Sequence, residues 1–298
     1  MLARLQQITT FALFLGAACW CAYWFGSHPW LAVFGALGLV FIHAPVLGAE
    51  FLLLAWINRA DLTPPASAGQ LLSAWWGEVW TTPAIFWWRQ PFRPNAEPDL
   101  LPAQAQGRRG AVLIHGFVCN RGFWTPWLRR LRAAGHPFVA VNLEPVFGEI
   151  SDYVTLIDAA VRQVQAATGL PPVLICHSMG GLAARAWLAQ AGDDARVAHV
   201  VTIGSPHQGT WLGRFSRSPN ARQMVPGCDW LCQLGAGESA SRRSRFTCWY
   251  SNCDNIVFPA STATLAGADN RFLSGPAHVH MAFDEQVIVH ALGLLASK

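Results

Sequence analysis

Charge is scarce in this sequence. Only 13% of its 298 residues are Asp, Glu, Lys or Arg, about half the usual share, while 52% are hydrophobic. Between Arg4 and Glu50 there is no charged side chain at all. No basic stripe with interleaved aromatics occurs, which argues against a nucleic-acid partner. The small Arg clusters around residues 108, 130 and 243 read as solvated surface. There is no HExxH helix, no carboxylate cluster and no Cys/His zinc spacing, so no metal is expected. The absence of a GxGxxG or Walker loop removes any reason to expect a nucleotide cofactor. None of the eight cysteines forms a CxxC pair. Cys228, Cys232, Cys248 and Cys253 admit two readings: a disulfide in an oxidising compartment, or buried thiols in a reducing one.

What is present is unevenly distributed. Residues 8–26 are 19 uncharged, mostly apolar positions. At about 1.5 Å per residue such a helix nearly crosses the roughly 30 Å hydrocarbon core of a bilayer. A short turn at Gly26, Ser27, His28 and Pro29 leads to a second apolar run over 30–57, in which Pro45 predicts a kink. Glu50 is expected near an interface or against the partner helix. Trp20, Trp24, Trp30 and Trp56 lie near the expected ends, where indoles prefer to sit. A cleaved signal peptide is the rival reading, with Arg4 as its basic start. Residues 1–59 are read here as a membrane-anchoring helical hairpin. Arg4 and Arg59 flank its uncharged loop, which predicts that both ends, and the domain that follows, face the cytoplasm. Residues 60–109 read as a connector broken by Pro64, Pro65, Pro91, Pro94, Pro98 and Pro102. Its Trp75, Trp76, Trp80, Trp87 and Trp88 either lie on the bilayer or pack against the next domain.

From Gly110 the pattern changes to strands alternating with helices. Strands are predicted at 111–115, 138–143, 199–206 and 246–251, with another running into the turn of 172–181. Helices are predicted at 123–135 and 152–169, the second capped by Ser151 and stopped by Gly169. This alternation predicts an α/β domain over 110–298, its mostly parallel sheet covered by helices on both faces. Within it, an apolar strand runs straight into Cys176-His177-Ser178-Met179-Gly180-Gly181 and then into the helical run Leu182–Ala191. A serine on so sharp a strand-to-helix turn has its hydroxyl pushed out of the sheet. The helix that starts there aims its free N–H groups at any anion formed beside that hydroxyl.

At this turn the sequence resembles the α/β-hydrolase family, and within it the bacterial lipases. The family pattern is G-x-S-x-G, and Cys176 stands where the first glycine is expected. Four other stretches match: His115-Gly116-Phe117, Gly204-Ser205-Pro206-His207-Gln208-Gly209-Thr210, the run from Tyr250 to Pro259, and Ala277-His278-Val279-His280-Met281. The resemblance covers about residues 110–295.

It implies a carboxylic-ester hydrolase with Ser178 as nucleophile, His278 as base and Asp254 as the acid that orients the imidazole. The order Ser, Asp, His agrees with the family. The N–H groups of Phe117 and Met179 are the expected oxyanion donors. His115, Gly116, His177, Gly180 and His207 are expected to support the motif or line the pocket. His280 remains an alternative base, two positions from His278. Residues 211–245 lack strand character and read either as a lid over an acyl pocket or as a surface excursion. The expected substrate is a lipid-like acyl ester at the membrane. Acyl transfer, thioester cleavage and amide cleavage are open on the same triad, and a non-catalytic membrane scaffold is the remaining alternative.

Overall fold

The amino-terminal segment, uncharged after Arg4, folds as helices because little in it interrupts backbone hydrogen bonding before Ser27. Helix α1 (Leu2–Phe25) ends where the chain turns, and Pro29 opens α2 (Pro29–Val40) at a position whose N–H has no helical partner anyway. α3 (His43–Ile57) follows after a break at Phe41 and Ile42, and the α2 segment meets the α3 segment at 52°. The bend therefore precedes Pro45, which sits in the first turn of α3, where proline is tolerated. α1 is long and apolar enough to cross a membrane; the bent pair passes that test only when taken together. The computed structural model describes residues 1–296.

The prolines of the connector do not break it throughout. Ser67 and Gln70 close a reciprocal cap: the Gln70 N–H donates to Ser67 Oγ (3.2 Å) and the Ser67 N–H to Gln70 Oε1 (2.8 Å). That cap starts α4 (Ala68–Pro83), which runs on through a π-helical stretch, Ala84–Arg89. Ala74, Glu78 and Val79 face inward, while Trp76 and Trp80 share the outer face at i, i+4 spacing.

In the body, β1 (Ala111–Ile114), α5 (Thr125–Ala133), β2 (Phe138–Ala140), α6 (Val154–Thr168), β3 (Val173–His177), α7 (Met179–Ala191), β4 (His199–Ile203), β5 (Phe246–Ser251), β6 (Asp269–Leu273), α8 (His278–Met281) and α9 (Glu285–Ala296) follow in order. The strands form one parallel sheet in the order β2-β1-β3-β4-β5-β6. A parallel sheet must be buried on both faces, and two core clusters do this. One joins the sheet to α6 and α7 through Val161, Leu182 and Trp187; the other joins it to α5 and α9 through Trp127, Leu131 and Ile288. A third, containing Phe51, Leu54, Ala74, Phe258 and Ala277, fastens α3 and α4 to the body.

Several boundaries differ from expectation. β6 was not foreseen. β2 stops at Ala140, and α6 starts at Val154 behind a turn capped by Glu149 and Asp152 rather than Ser151. Gly169 does end α6, at φ 70°. Residues 211–245 contain only short helical pieces, and Met224, Leu231 and Leu234 from this stretch are buried in the body's core. All eight cysteines are free thiols.

Candidate active site

β3 ends at His177 and α7 begins at Met179, so Ser178 makes the whole turn by itself, at φ 54° and ψ −129°. For a residue with a Cβ such a backbone costs of order 1–3 kcal/mol and persists only where packing holds it. Close approach by glycine supplies that packing. A Cβ on Gly180 would lie 2.4 Å from the Ile114 carbonyl oxygen, and one on Gly116 would lie 2.8 Å from Ser178 Cβ. Cys176 is fully buried and belongs to the core cluster of Val112 and Leu174, which accommodates it where the family pattern has glycine.

Beyond β5 the chain turns through Asp254. One of its oxygens, Oδ1, accepts the N–H groups of Ile256 (3.0 Å) and Val257 (2.8 Å). Both carboxylate oxygens stand within reach of His278 Nδ1, Oδ1 at 2.9 Å and Oδ2 at 3.0 Å. A carboxylate can only accept, so the proton of a neutral His278 sits on Nδ1 and Nε2 is left as the basic nitrogen. Burial disfavours the imidazolium, but Asp254, with Glu78 and Glu50 near it, outweighs burial and holds the His278 pKa above the ordinary histidine value.

Ser178 and His278 line the same cavity, of about 270 Å³, together with His177, Gly116, Phe117 and Val118. A second cavity of about 210 Å³ also reaches Ser178 and is walled by Phe117, Leu212, Met224 and Val257. Phe117 and Ser178 thus stand where the two meet. The Met179 N–H lies at the first position of α7, where the helix offers it no carbonyl. Next to Phe117, the β-branched Val118 is held at φ 53°.

A family model described as the alpha/beta hydrolase family matches residues 111–290. The chain belongs to the alpha/beta hydrolase family. Among solved structures, the hydrolase is similar to Bacillus licheniformis lipase BlEst2 in its mature form, at 15% identity and a TM-score of 0.56, over 63% of this chain and 92% of that one. It is also similar to Aspergillus fumigatus lipase B, at 19% identity and a TM-score of 0.58, over 69% of this chain and 57% of that one. At these identities the likeness is one of fold. No curated protein matches the sequence.

The remaining histidines of the hydrolase separate by their contacts. The Leu143 N–H donates to His115 Nε2 (3.1 Å), so the ring proton is on Nδ1 and donates to the Gly116 carbonyl (2.9 Å). Burial pulls the His115 pKa down to about 4. His177 Nε2 donates to the His278 carbonyl (3.2 Å), and its ring stacks on Phe123 with centroids 4.5 Å apart. Burial, and then the nearby His278, push its pKa well down, so it stays neutral. His207 is not brought to Ser178. Its Nε2 meets Thr202 Oγ1 (3.0 Å), and the residue lines a separate cavity with Arg185 and Gln208. His280 is exposed and packs toward Gly77 of α4; it is His278 that meets Asp254.

Three residues at the cavity, Asn255, Glu50 and Glu78, were not among the expected site residues. Asn255 Nδ2 donates to Glu50 Oε2 (2.7 Å), and Asn255 Oδ1 accepts the His278 N–H (3.3 Å). Glu78 accepts the Val279 N–H (2.6 Å). A signal for Glu78 was available: it is the only charged residue between Asp61 and Arg89. A lone carboxylate in an apolar stretch needs a partner.

Proposed function

We propose that this hydrolase is a membrane-tethered serine esterase that cleaves lipid-like acyl esters. The observation that carries this reading is that Asp254 holds Nδ1 of His278 at a cavity whose wall also includes Ser178. Ser178 Oγ attacks the ester carbonyl, and His278 Nε2 takes its proton. The oxyanion that forms is met by the N–H groups of Phe117 and Met179, each such donor being worth about 3–4 kcal/mol. His278 returns the proton to the departing alcohol, leaving the acyl group on Ser178. Water then attacks this ester with His278 again as base, releasing the acid and restoring Ser178. The apolar cavity beside Leu212 and Met224 suits the acyl chain. The pieces of 211–245 that wall this cavity serve as its cover.

The tether is the helical hairpin of residues 1–59. Support comes from how both ends of this region return to the body. The amino terminus pairs with Glu144 (3.0 Å) and Gln7 donates to the Pro91 carbonyl (2.7 Å), while Asn58 and Asp61 accept the N–H groups of Ala260 (3.2 Å) and Ser261 (3.0 Å). With Arg4 and Arg59 at those ends, the catalytic domain lies on the cytoplasmic side.

A fluorophosphonate probe tests the chemistry. The wild type in membranes should label and turn over p-nitrophenyl esters, and Ser178→Ala should do neither. A fully active Ser178→Ala would end this reading.

A further inference from the structure

The family match begins at residue 111, yet the cavity at Ser178 is walled in part by residues that precede it: Leu47 and Glu50 of α3, Glu78 and Thr82 of α4, and Phe86. Among these, Glu78 has the most specific contacts. It is 1% exposed. Its Oε1 accepts the Val279 N–H at 2.6 Å and lies 3.4 Å from the His280 nitrogen, while Thr82 Oγ1 donates to Oε2 at 3.3 Å. Val279 and His280 are the two residues after His278. Glu78 therefore grips the short turn that carries the imidazole, from a position some 200 residues earlier in the chain. From its other side the same turn is held by Asn255, which Glu50 orients. A carboxylate taken out of water is tolerated only where donors meet it, and here, beside the Thr82 hydroxyl, they include the backbone N–H next to His278.

We infer that Glu78 is a positioning residue for His278, clamping the turn of α8 and setting a second carboxylate near the imidazole, so that the amino-terminal helices complete the active site. This rests on the ester-hydrolase reading and deepens it. Positioning of this kind has leverage, because a displacement of about 1 Å at a reacting group costs on the order of a hundredfold in rate. The groups that face the imidazole are the carboxyls of Asp254, Glu50 and Glu78, the ring of His177 with centroids 4.6 Å away, and Ser178 across the cavity. His177 is neutral, so the local charge is set by the carboxyls. Burial pushes the Glu78 carboxyl above its ordinary range, and the Val279 N–H works against that shift.

The test compares the full-length wild type with Glu78→Gln and Glu78→Ala, using p-nitrophenyl acetate turnover across pH and fluorophosphonate labelling. Glutamine keeps an oxygen for the Val279 N–H but no charge; alanine keeps neither. Glu78→Ala should lose about tenfold to a hundredfold in kcat, with KM nearly unchanged. Glu78→Gln should stay near the wild-type kcat at its optimum, with the acid limb of its profile moved to lower pH. The sign follows from charge: with one carboxylate fewer, the imidazole gives up its proton at lower pH, and it is the neutral imidazole that acts as base. A merely structural role would reduce the labelled fraction without moving that limb. A Glu78→Ala variant with wild-type kcat would overturn the inference, and so would a Glu78→Gln acid limb that coincides with the wild type. Should Glu78→Ala not fold, the Glu78→Gln limb decides. A wild type that neither labels nor hydrolyses any ester would instead sink the hydrolase reading, a result distinct from these.

Discussion

The body and the amino-terminal helices differ most in what they show on the outside. From β1 onward apolar clusters pack both faces of the sheet around a set of buried polar groups, Asp254 and His278 among them, and large exposed hydrophobics are scattered: Phe147, Leu156, Phe215, Phe272 and Val289. Before β1 the outside is apolar, with Phe11, Phe14, Trp30, Phe34, Leu52, Trp56, Trp76, Trp80 and Trp88 exposed. Its buried positions include Gln6, Thr10, Glu78 and Gln90 beside Phe51, Leu54 and Ile85. Gln6 donates to Gln90 (3.2 Å) and to the Val118 carbonyl (3.4 Å), and Glu78 receives the Val279 N–H (2.6 Å). Polar groups thus stitch the two regions together, while apolar rings face away. An exposed apolar face of this extent fits a lipid environment better than water. On the proposed tethered reading, the comparison teaches that one chain answers to two solvents, and that the polar seam between them runs past the histidine.

Substitutions on either side of that seam should separate the two behaviours. The largest effect is expected for Asp254→Asn in the body. It disturbs the Nδ1 tautomer and should lower kcat about ten-thousandfold, while flotation with lipid vesicles stays as in the wild type. Loss of vesicle binding in that variant would break the division. A smaller effect of the opposite kind is expected for Trp76→Ser with Trp80→Ser. Vesicle binding should weaken roughly tenfold, from about 1.5 kcal/mol of lost burial, while turnover of a short soluble ester is unchanged. Unaltered partitioning would mean that these rings do not meet lipid. The smallest effect is expected for His280→Ala, which lies on the seam near Gly77 but away from Asp254. Its kcat should stay within about twofold of the wild type, and a collapse to the level of Asp254→Asn would reverse the choice between the two histidines.

The body was largely legible because its signals are local. A strand running into His-Ser-Met-Gly-Gly and a helix fixes Ser178 within a few residues, and periodicity marks α6 and α7. β6 escaped because Asp269–Leu273 is a polar edge strand with only Leu273 buried, so it shows no apolar run. In the connector the Ser67-to-Gln70 cap was present in the sequence, but the surrounding prolines outweighed it. Pro83 proved to lie inside α4, where the helix passes into its π-helical continuation. Glu78 and Glu50 each stand out as a lone carboxylate in an apolar stretch, but what they pair with was not legible. Their partners, Val279 and Asn255, lie 201 and 205 positions away, and nothing local announces such a pairing. His207 shows the converse: a residue inside a matching motif whose ring meets Thr202 and Cys248 rather than the cavity at Ser178.

The walls supplied by Leu47, Thr82 and Phe86 have a kinetic consequence. If these helices anchor the chain as proposed, the mouth they form samples molecules per area of bilayer rather than per litre of solution. Diluting an ester among inert lipids would then slow the reaction even though the amount of ester in the tube had not changed.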